Sequence, residues 1–313
     1  MKISYIIPCY RSTATLPQVV AEITETMKTI DKYDYEIILV NDCSPDDTFE
    51  TIKRLAGEDE RIIGLSLAKN FGQHGALMAG LNEAKGDIVV CLDDDGQTPA
   101  DEVGKLLNAI ENGADAVYAS YSHKKHSPFR NFGSWINDRM ACAMLGKPKN
   151  LKVSSYFAVK RFVVDEMCKY TQGFPYVIGL VLRTTKNIVN VEVNHRNREV
   201  GESGYTFAKL MGLWFNGFTA FSVKPLRIAT FVGAMSAMVG FLYGIYTIIK
   251  KIFIRPDALV TGFSALMSVM VFMCGIMMLM IGMVGEYMGR TYLAMNNTPQ
   301  YVVAEKTSNE ANS

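Results

Sequence analysis

Asp93-Asp94-Asp95-Gly96-Gln97 sets three carboxylates on consecutive residues, followed by a glycine and a carboxamide. Adjacent carboxylates repel one another and are costly without a cation. In an extended segment Asp93 and Asp95 point to one side and Asp94 to the other. That spacing supplies the one or two carboxylates that Mg²⁺ or Mn²⁺ takes when water and a substrate phosphate complete its shell. The same residues also read as a solvated acidic loop capping the next helix. Asp42, behind Asn41, can accept hydrogen bonds from a nucleobase or ribose, or serve as a turn residue ahead of Ser44. Gly72-Gln73-His74-Gly75 suits the tight opening of a helix.

Short β-branched runs position these residues: Ile3 to Pro8, Glu36 to Val40, Ile62 to Leu67, Asp87 to Leu92 and Ala116 to Ser120. Helical patterns separate them, which predicts βαβ units and a mainly parallel sheet. Ser44-Pro45-Asp46-Asp47 and Thr98-Pro99-Ala100-Asp101 each offer a hydroxyl cap, a proline and an acid, the signature of a helix start. The carboxyl ends of the strands are where open α/β sheets bind ligands. Pro8-Cys9-Tyr10, Asn41-Asp42 and the acidic triplet all fall there.

The 313 residues carry 32 basic and 31 acidic side chains, a formal charge of +1. This argues against a nucleic-acid binder held by a basic surface. Apolar residues make up 49% of the chain and charged ones 20%, too hydrophobic for disorder. The charges are unevenly spread. Between Ile228 and Gly285 the only ones are Lys250, Lys251, Arg255 and Asp257. The charge-free runs Ile228 to Ile249 and Ala258 to Gly285 reach the ~20 residues needed to cross a bilayer. Two transmembrane helices joined by a short loop are therefore expected, with both termini on one side. Lys224, Arg227 and Arg290 favour a cytoplasmic terminal side, and the three basic residues of the loop pull the other way.

The first strand follows the initiator directly, without the apolar core of a signal peptide, so the large domain is expected in the cytoplasm and the chain in the plasma membrane. Cys9, Cys43, Cys91, Cys142 and Cys168 show no CxxC pairing, as suits reduced thiols. His74, His123, His126 and His195 lack zinc-site spacing. No GxGxxG follows the first strand and no GxxxxGK(S/T) loop is present, so a phosphate-bearing ligand needs another source of positive charge. From Tyr205 to Lys224 aromatic and aliphatic residues recur near helical spacing around Lys209, as in an interfacial amphipathic helix.

Pro8-Cys9-Tyr10, Val40-Asn41-Asp42-Cys43-Ser44, Asn70-Phe71-Gly72-Gln73-His74-Gly75-Ala76 and Leu92-Asp93-Asp94-Asp95-Gly96-Gln97 resemble, in order and spacing, the nucleotide-sugar-binding segments of family 2 glycosyltransferases with the GT-A fold. Arg198-Glu199-Val200-Gly201-Glu202-Ser203-Gly204-Tyr205 with Lys209 is similar to the RxxGxS(K/R)Y segment of the polyprenyl-phosphate branch, which includes dolichyl-phosphate mannose synthases and bacterial undecaprenyl-phosphate sugar transferases. Gly285-Glu286-Tyr287-Met288-Gly289-Arg290-Thr291-Tyr292 and Pro299-Gln300-Tyr301-Val302-Val303 resemble that branch's C-terminal signature. With the resemblance, these patterns imply a GT-A domain over residues 1–204, an interfacial helix over 205–224, a transmembrane hairpin over 225–289 and a cytoplasmic tail over 290–313.

It also implies inverting, metal-dependent transfer of one sugar from a UDP- or GDP-linked donor to a membrane polyprenyl phosphate, with Mg²⁺ or Mn²⁺ as cofactor. Carried over by position, Pro8, Tyr10 and Asp42 line the nucleoside pocket, and Asp93 and Asp94 hold the ribose and nearby groups. Asp95 and Gln97 bind the metal. Arg130 and Arg198 meet the acceptor phosphate, with Ser203 and Lys209 beside them. Self-association is left open. Arg11-Ser12 replaces a common Asn-Glu, Gly204 stands where Lys or Arg is usual, and Phe157 stands where many relatives carry Arg, which suggests an altered acceptor or sugar pocket. A processive polysaccharide synthase is disfavoured because neither Trp135 nor Trp214 follows an arginine as in QxxRW. A silent nucleotide-binding scaffold is disfavoured by the intact Asp93, Asp95, Gln97 and Arg198.

Overall fold

The computed structural model describes residues 1–121, 142, 147–173, 175–194, 224–253, 263–296 and 298–307. The chain divides into two compact units, Met1–Phe218 with Asn297–Ser313, and Thr219–Asn296.

The first unit is built on an eight-stranded sheet. Its strands are β1 (Lys2–Cys9), β2 (Asp34–Asn41), β3 (Ile62–Leu67), β4 (Ile88–Cys91), β5 (Ala116–Tyr121), β6 (Phe157–Lys160), β7 (Ile188–Val193) and β8 (Val303–Lys306), in the order β7-β5-β6-β4-β1-β2-β3-β8. Pairing is parallel except for β6, antiparallel to β4 and β5, and β8, antiparallel to β3. The five strands read from the sequence are all present, within two residues of the expected bounds. Their apolar runs are continuous because the central strands are covered on both faces. Ile3, Ile6, Ile7, Ile37, Ile38 and Leu39 are fully buried.

Helices α1 (Leu16–Thr29), α2 (Thr48–Glu58), α3 (Gln73–Glu83), α4 (Val103–Glu111), α5 (Arg161–Cys168) and α6 (Val177–Thr184) complete this unit. α3 opens directly after Gly72, as its glycines suggest. The two proline-marked starts differ from expectation. α2 begins at Thr48, because Ser44 is engaged elsewhere: its hydroxyl accepts from the Arg11 N–H at 2.8 Å and donates to Asp46. Pro99 is extended, and a 3₁₀ turn over Ala100–Glu102 precedes α4. Strand order places β1 between β2 and β4, so the chain changes direction along the sheet there. In an open α/β sheet the ligand crevice lies at that switch point, outside the carboxyl ends of the strands.

The second unit holds two long helices, α7 (Lys224–Phe253) and α8 (Phe263–Met295). Lys224, expected as the last residue of an interfacial helix, is the first of α7. Within α8 the window Phe272–Gly289 is long and apolar enough, by length and composition, to cross a membrane. Its apolar side chains face outward, with Met278 75% and Phe272 66% exposed. The segment expected as a tail contains the last turns of α8 and the edge strand β8.

Candidate active site

Four residues at the carboxyl ends of β1, β2, β3 and β4 have left-handed backbones: Arg11 (φ 59°), Cys43 (φ 51°), Gly72 (φ 79°) and Gly96 (φ 71°). For Arg11 and Cys43 this conformation costs about 1–3 kcal/mol each, and such strain persists only where the surroundings over-determine it. Here hydrogen bonds between neighbouring strand ends do so.

Asp94 joins the end of β4 to the end of β1. Its Oδ2 accepts from the Tyr10 N–H at 3.0 Å and from the Ser12 hydroxyl. Ser12 in turn donates its N–H to the Thr48 hydroxyl at 3.0 Å, tying in the start of α2. Thr13 and Thr48 donate to Asp46 at 2.7 Å. Burial opposes ionisation of Asp46, but hydrogen bonds from Ser44, Thr48 and Thr13 outweigh it and bring its carboxyl down to about 2. Tyr10 itself is 45% exposed, with the Arg11 guanidinium 5.6 Å from its ring centroid. Pro8 lies beyond Ile6, where the β1–β4 ladder ends, so it interrupts no pairing on that side.

Asp42 is buried, 4% exposed, and its carboxylate accepts from the N–H groups of Phe71 at 2.7 Å and Gly72 at 2.8 Å. Its carbonyl accepts from the Asn70 amide at 3.2 Å. Burial raises its carboxyl above the ordinary range, and the two backbone donors pull against this. Both sequence readings of Asp42 thus gain a third element: it clamps the turn between β3 and α3.

β4 ends at Cys91, so the acidic triplet expected within an extended segment lies beyond the strand, with Asp94 and Asp95 in a bend. Each carboxylate has its own surroundings. Asp93 accepts from the Gln73 amide at 2.9 Å and from the Ser155 hydroxyl. Burial first, then the charges of Asp95 and Asp94, push Asp93 up to about 6; burial likewise raises Asp94. Asp95 Oδ1 accepts from the Gln97 N–H at 3.1 Å across the left-handed Gly96, so Asp95 and Gln97 share one tight turn.

This donor set fits a divalent cation. Asp95 and Gln97 could supply a carboxylate and an amide oxygen, while Asp93 and Asp94 lie beside them in hydrogen-bonded positions. Among the described residues no three His, Cys, Asp or Glu side chains enclose an ion. The arrangement therefore suits a cation that takes few protein ligands and shares its shell with substrate phosphate.

Sequence reading passed over Gln73 and Ser155, which hold Asp93, and treated Ser12 only as a departure. Gln73 sits in the helix-opening motif and Ser155 in the segment ahead of β6, but no spacing rule links either to residue 93. Phe157, where many relatives carry Arg, is buried. It is 1% exposed, opposite Cys91 on β6, with its ring 5.4 Å from that of Tyr118, so its side chain packs in the core of the sheet. His74 makes an edge-to-face contact with Tyr176 at 5.0 Å, and its Nδ1 is buried without a partner among the described residues. Burial lowers its pKa to about 4, so the ring is neutral at physiological pH. Arg130, Arg198, Ser203, Gly204 and Lys209 lie outside the described residues.

Residues 4–167, spanning this sheet and the strand-end cluster, match the model of glycosyl transferase family 2. The chain belongs to that family. Residues 224–291 match the GtrB C-terminal hairpin. Two relatives are similar over nearly their whole length. One is the undecaprenyl-phosphate 4-deoxy-4-formamido-L-arabinose transferase of Proteus mirabilis, 31% identical over 96% of this chain and 93% of its own. The other bears the same name in Shewanella sediminis and is 30% identical over 99% and 93%. These matches place the family 2 enzyme in the polyprenyl-phosphate branch.

Among solved structures, glucosyl-3-phosphoglycerate synthase from Mycobacterium tuberculosis aligns with a TM-score of 0.52 at 19% identity, over 68% of this chain and 76% of that one. A second crystal of that synthase, in complex with Mn²⁺, UDP-glucose and phosphoglyceric acid, aligns with a TM-score of 0.51 at 18% identity and the same coverage. They show the fold, GT-A-like and mainly parallel. This family 2 domain is thus a glycosyltransferase.

Proposed function

We propose that the enzyme transfers a single sugar from a nucleotide-sugar donor to a polyprenyl phosphate in the membrane, with inversion and with the help of Mg²⁺ or Mn²⁺. The observation that carries this reading is the bridge from Asp94 to Tyr10 and Ser12, which closes the β1/β4 switch point beside the turn of Asp95 and Gln97. The relatives' names support the lipid acceptor, and the M. tuberculosis complex with Mn²⁺ and UDP-glucose supports the donor class.

In this reading Tyr10 stacks on the base, with Pro8 beside it, and Asp42 fixes the turn that borders the nucleoside. Asp93 and Asp94 receive the ribose and nearby hydroxyls, and Asp95 and Gln97 hold the cation. When bound, that cation offsets the charge developing on the departing diphosphate. The acceptor is a phosphate monoester whose second pKa is about 6, so most of it is dianionic at neutral pH and needs little general-base assistance. Neutral His74 is accordingly not required as a base. Arg130 and Arg198 are suited to the acceptor phosphate, because guanidinium groups bind phosphate oxygens in pairs and bring two anions together. Ser203 and Lys209 extend that contact. α7 and α8 form a hairpin crossing the plasma membrane twice, with the catalytic domain in the cytoplasm.

Asp95→Asn tests this assignment. Sugar transfer to polyprenyl phosphate, followed by mass spectrometry of extracted lipids in the presence of Mn²⁺, is expected to fall at least about 100-fold, within the range for lost electrostatic stabilisation. Thermal stability and membrane insertion are expected to persist. Near-normal turnover in that variant removes Asp95 from the metal role.

A further inference from the structure

The motif Pro299-Gln300-Tyr301-Val302-Val303 lies far along the chain from the strand ends, yet folds against them. Residues 298–307 form a strap on the β3 edge. Leu65 pairs with Lys306, Ser66 with Glu305 and Leu67 with Val303, with an irregularity between Ser66 and Leu67. At its far end the Thr307 hydroxyl accepts from the Gly64 N–H at 2.8 Å, and the Thr307 N–H donates to the Gly64 carbonyl at 2.9 Å. At its near end Gln300 is buried, 8% exposed, with its side-chain amide donating to the Tyr170 carbonyl.

Two contacts bracket the turn between β3 and α3. The Ala68 N–H donates to the Val302 carbonyl at 2.8 Å on one side. On the other, the Gln300 carbonyl lies against Gly75 so closely that a Cβ there would stand 3.0 Å from it and 2.8 Å from the Phe71 Cβ. Between these points lie Phe71 and Gly72, which hold the Asp42 carboxylate, and Gln73, which holds Asp93. The strap thus secures both ends of the segment that sets two of the acidic side chains.

We propose that Gln300 is a positioning residue for the nucleotide-sugar donor: by anchoring the strap to Tyr170 it keeps residues 68–75 in the shape that receives the nucleotide. This rests on the donor site proposed above. The strap follows α8 by a few residues, so a segment leaving the long apolar helix also shapes the donor pocket. As an edge strand β8 pairs on one side only, and the buried Gln300 supplies a further anchor through Tyr170.

The test compares Gln300→Met, which keeps volume and removes the amide donor, with Thr307→Val, which loosens the strap at its other end. Full-length protein in nanodiscs is titrated with UDP and with GDP in the presence of Mn²⁺, and turnover is measured at saturating donor. Gln300→Met is expected to weaken nucleotide binding and raise the donor KM at least about fivefold, the lower range of coupling between sites, with kcat within about twofold. Thr307→Val is expected to bind nucleotide like wild type even where its Tm falls equally. Wild-type affinity in Gln300→Met, or weakening in both variants in proportion to lost Tm, overturns the inference. Wild-type protein that binds neither nucleotide overturns the donor site and this inference together. If Gln300→Met does not fold, hydrogen exchange on wild type decides. Nucleotide must then slow amides at 300–303 as well as 70–73, and slowing confined to 70–73 overturns the inference.

Discussion

His74 has Nδ1 sealed from water in the first turn of α3, with the Tyr176 ring beside it and no polar partner among the described residues. Burial takes its pKa from the ordinary 6.5 to about 4. The unfolded chain therefore binds a proton below pH 6.5 that the folded chain refuses until about pH 4. Stability from neutral His74 is present above 6.5 and is lost as pH falls through 4. His74→Phe keeps an aromatic ring against Tyr176 and removes the titration. Its Tm, followed from pH 7 to pH 4, is expected to decline less than that of wild type, by a few degrees over the window. Equal slopes mean that His74 titrates as an ordinary histidine. The histidine was visible in the sequence, but its neutrality was not, because desolvation depends on what packs around the ring.

At the scale of elements, the end of β2 and the start of α3 are joined through one carboxylate. Asp42 serves two backbone donors, and an amide in its place offers one oxygen while turning an NH₂ group towards the other N–H. Asp42→Asn is expected to cost about 1–3 kcal/mol, the penalty for a buried donor left unpaired. Denaturant unfolding reads this loss, and faster exchange at the Phe71 and Gly72 amides locates it. A wild-type donor KM in the destabilised variant would confine Asp42 to holding the turn. The parallel strands were legible because β-branched runs on a doubly covered sheet are continuous. β6, β7 and β8 were not anticipated. They lie at or beyond the boundaries of the βαβ series, and β6 and β8 run antiparallel, so no crossover helix marks them. The shifted start of α2 has a similar cause, since Ser44 reaches across to Arg11 instead of capping the nearest helix.

For the whole molecule, composition separates a charged catalytic unit from an apolar one, and the structure divides the chain in the same region. Met278, near the middle of the Phe272–Gly289 window, is 75% exposed. If that face meets lipid, Met278→Lys costs about 2.5–3.5 kcal/mol of insertion. Alkaline carbonate extraction is expected to release more of this variant than of wild type. Unchanged release argues against a spanning role for α8, because a lysine at a water-exposed position is nearly neutral.

Sequence alone determined the class of fold and the strand ends that carry Tyr10, Asp42 and Asp93–Asp95, because these follow from residue type, period and local spacing, and it indicated the family through the resemblance of those motifs. It also marked the two apolar stretches, whose length and lack of charge are properties of the chain itself. Only tertiary structure decided that Asp94 bonds to Tyr10 and Ser12, that Asp93 rests on Gln73 and Ser155, and that Gln300 closes against Gly75. Those contacts join residues from about 20 to more than 200 positions apart, and no local preference encodes a hydrogen bond whose partner arrives only when the sheet and its edge strand have assembled.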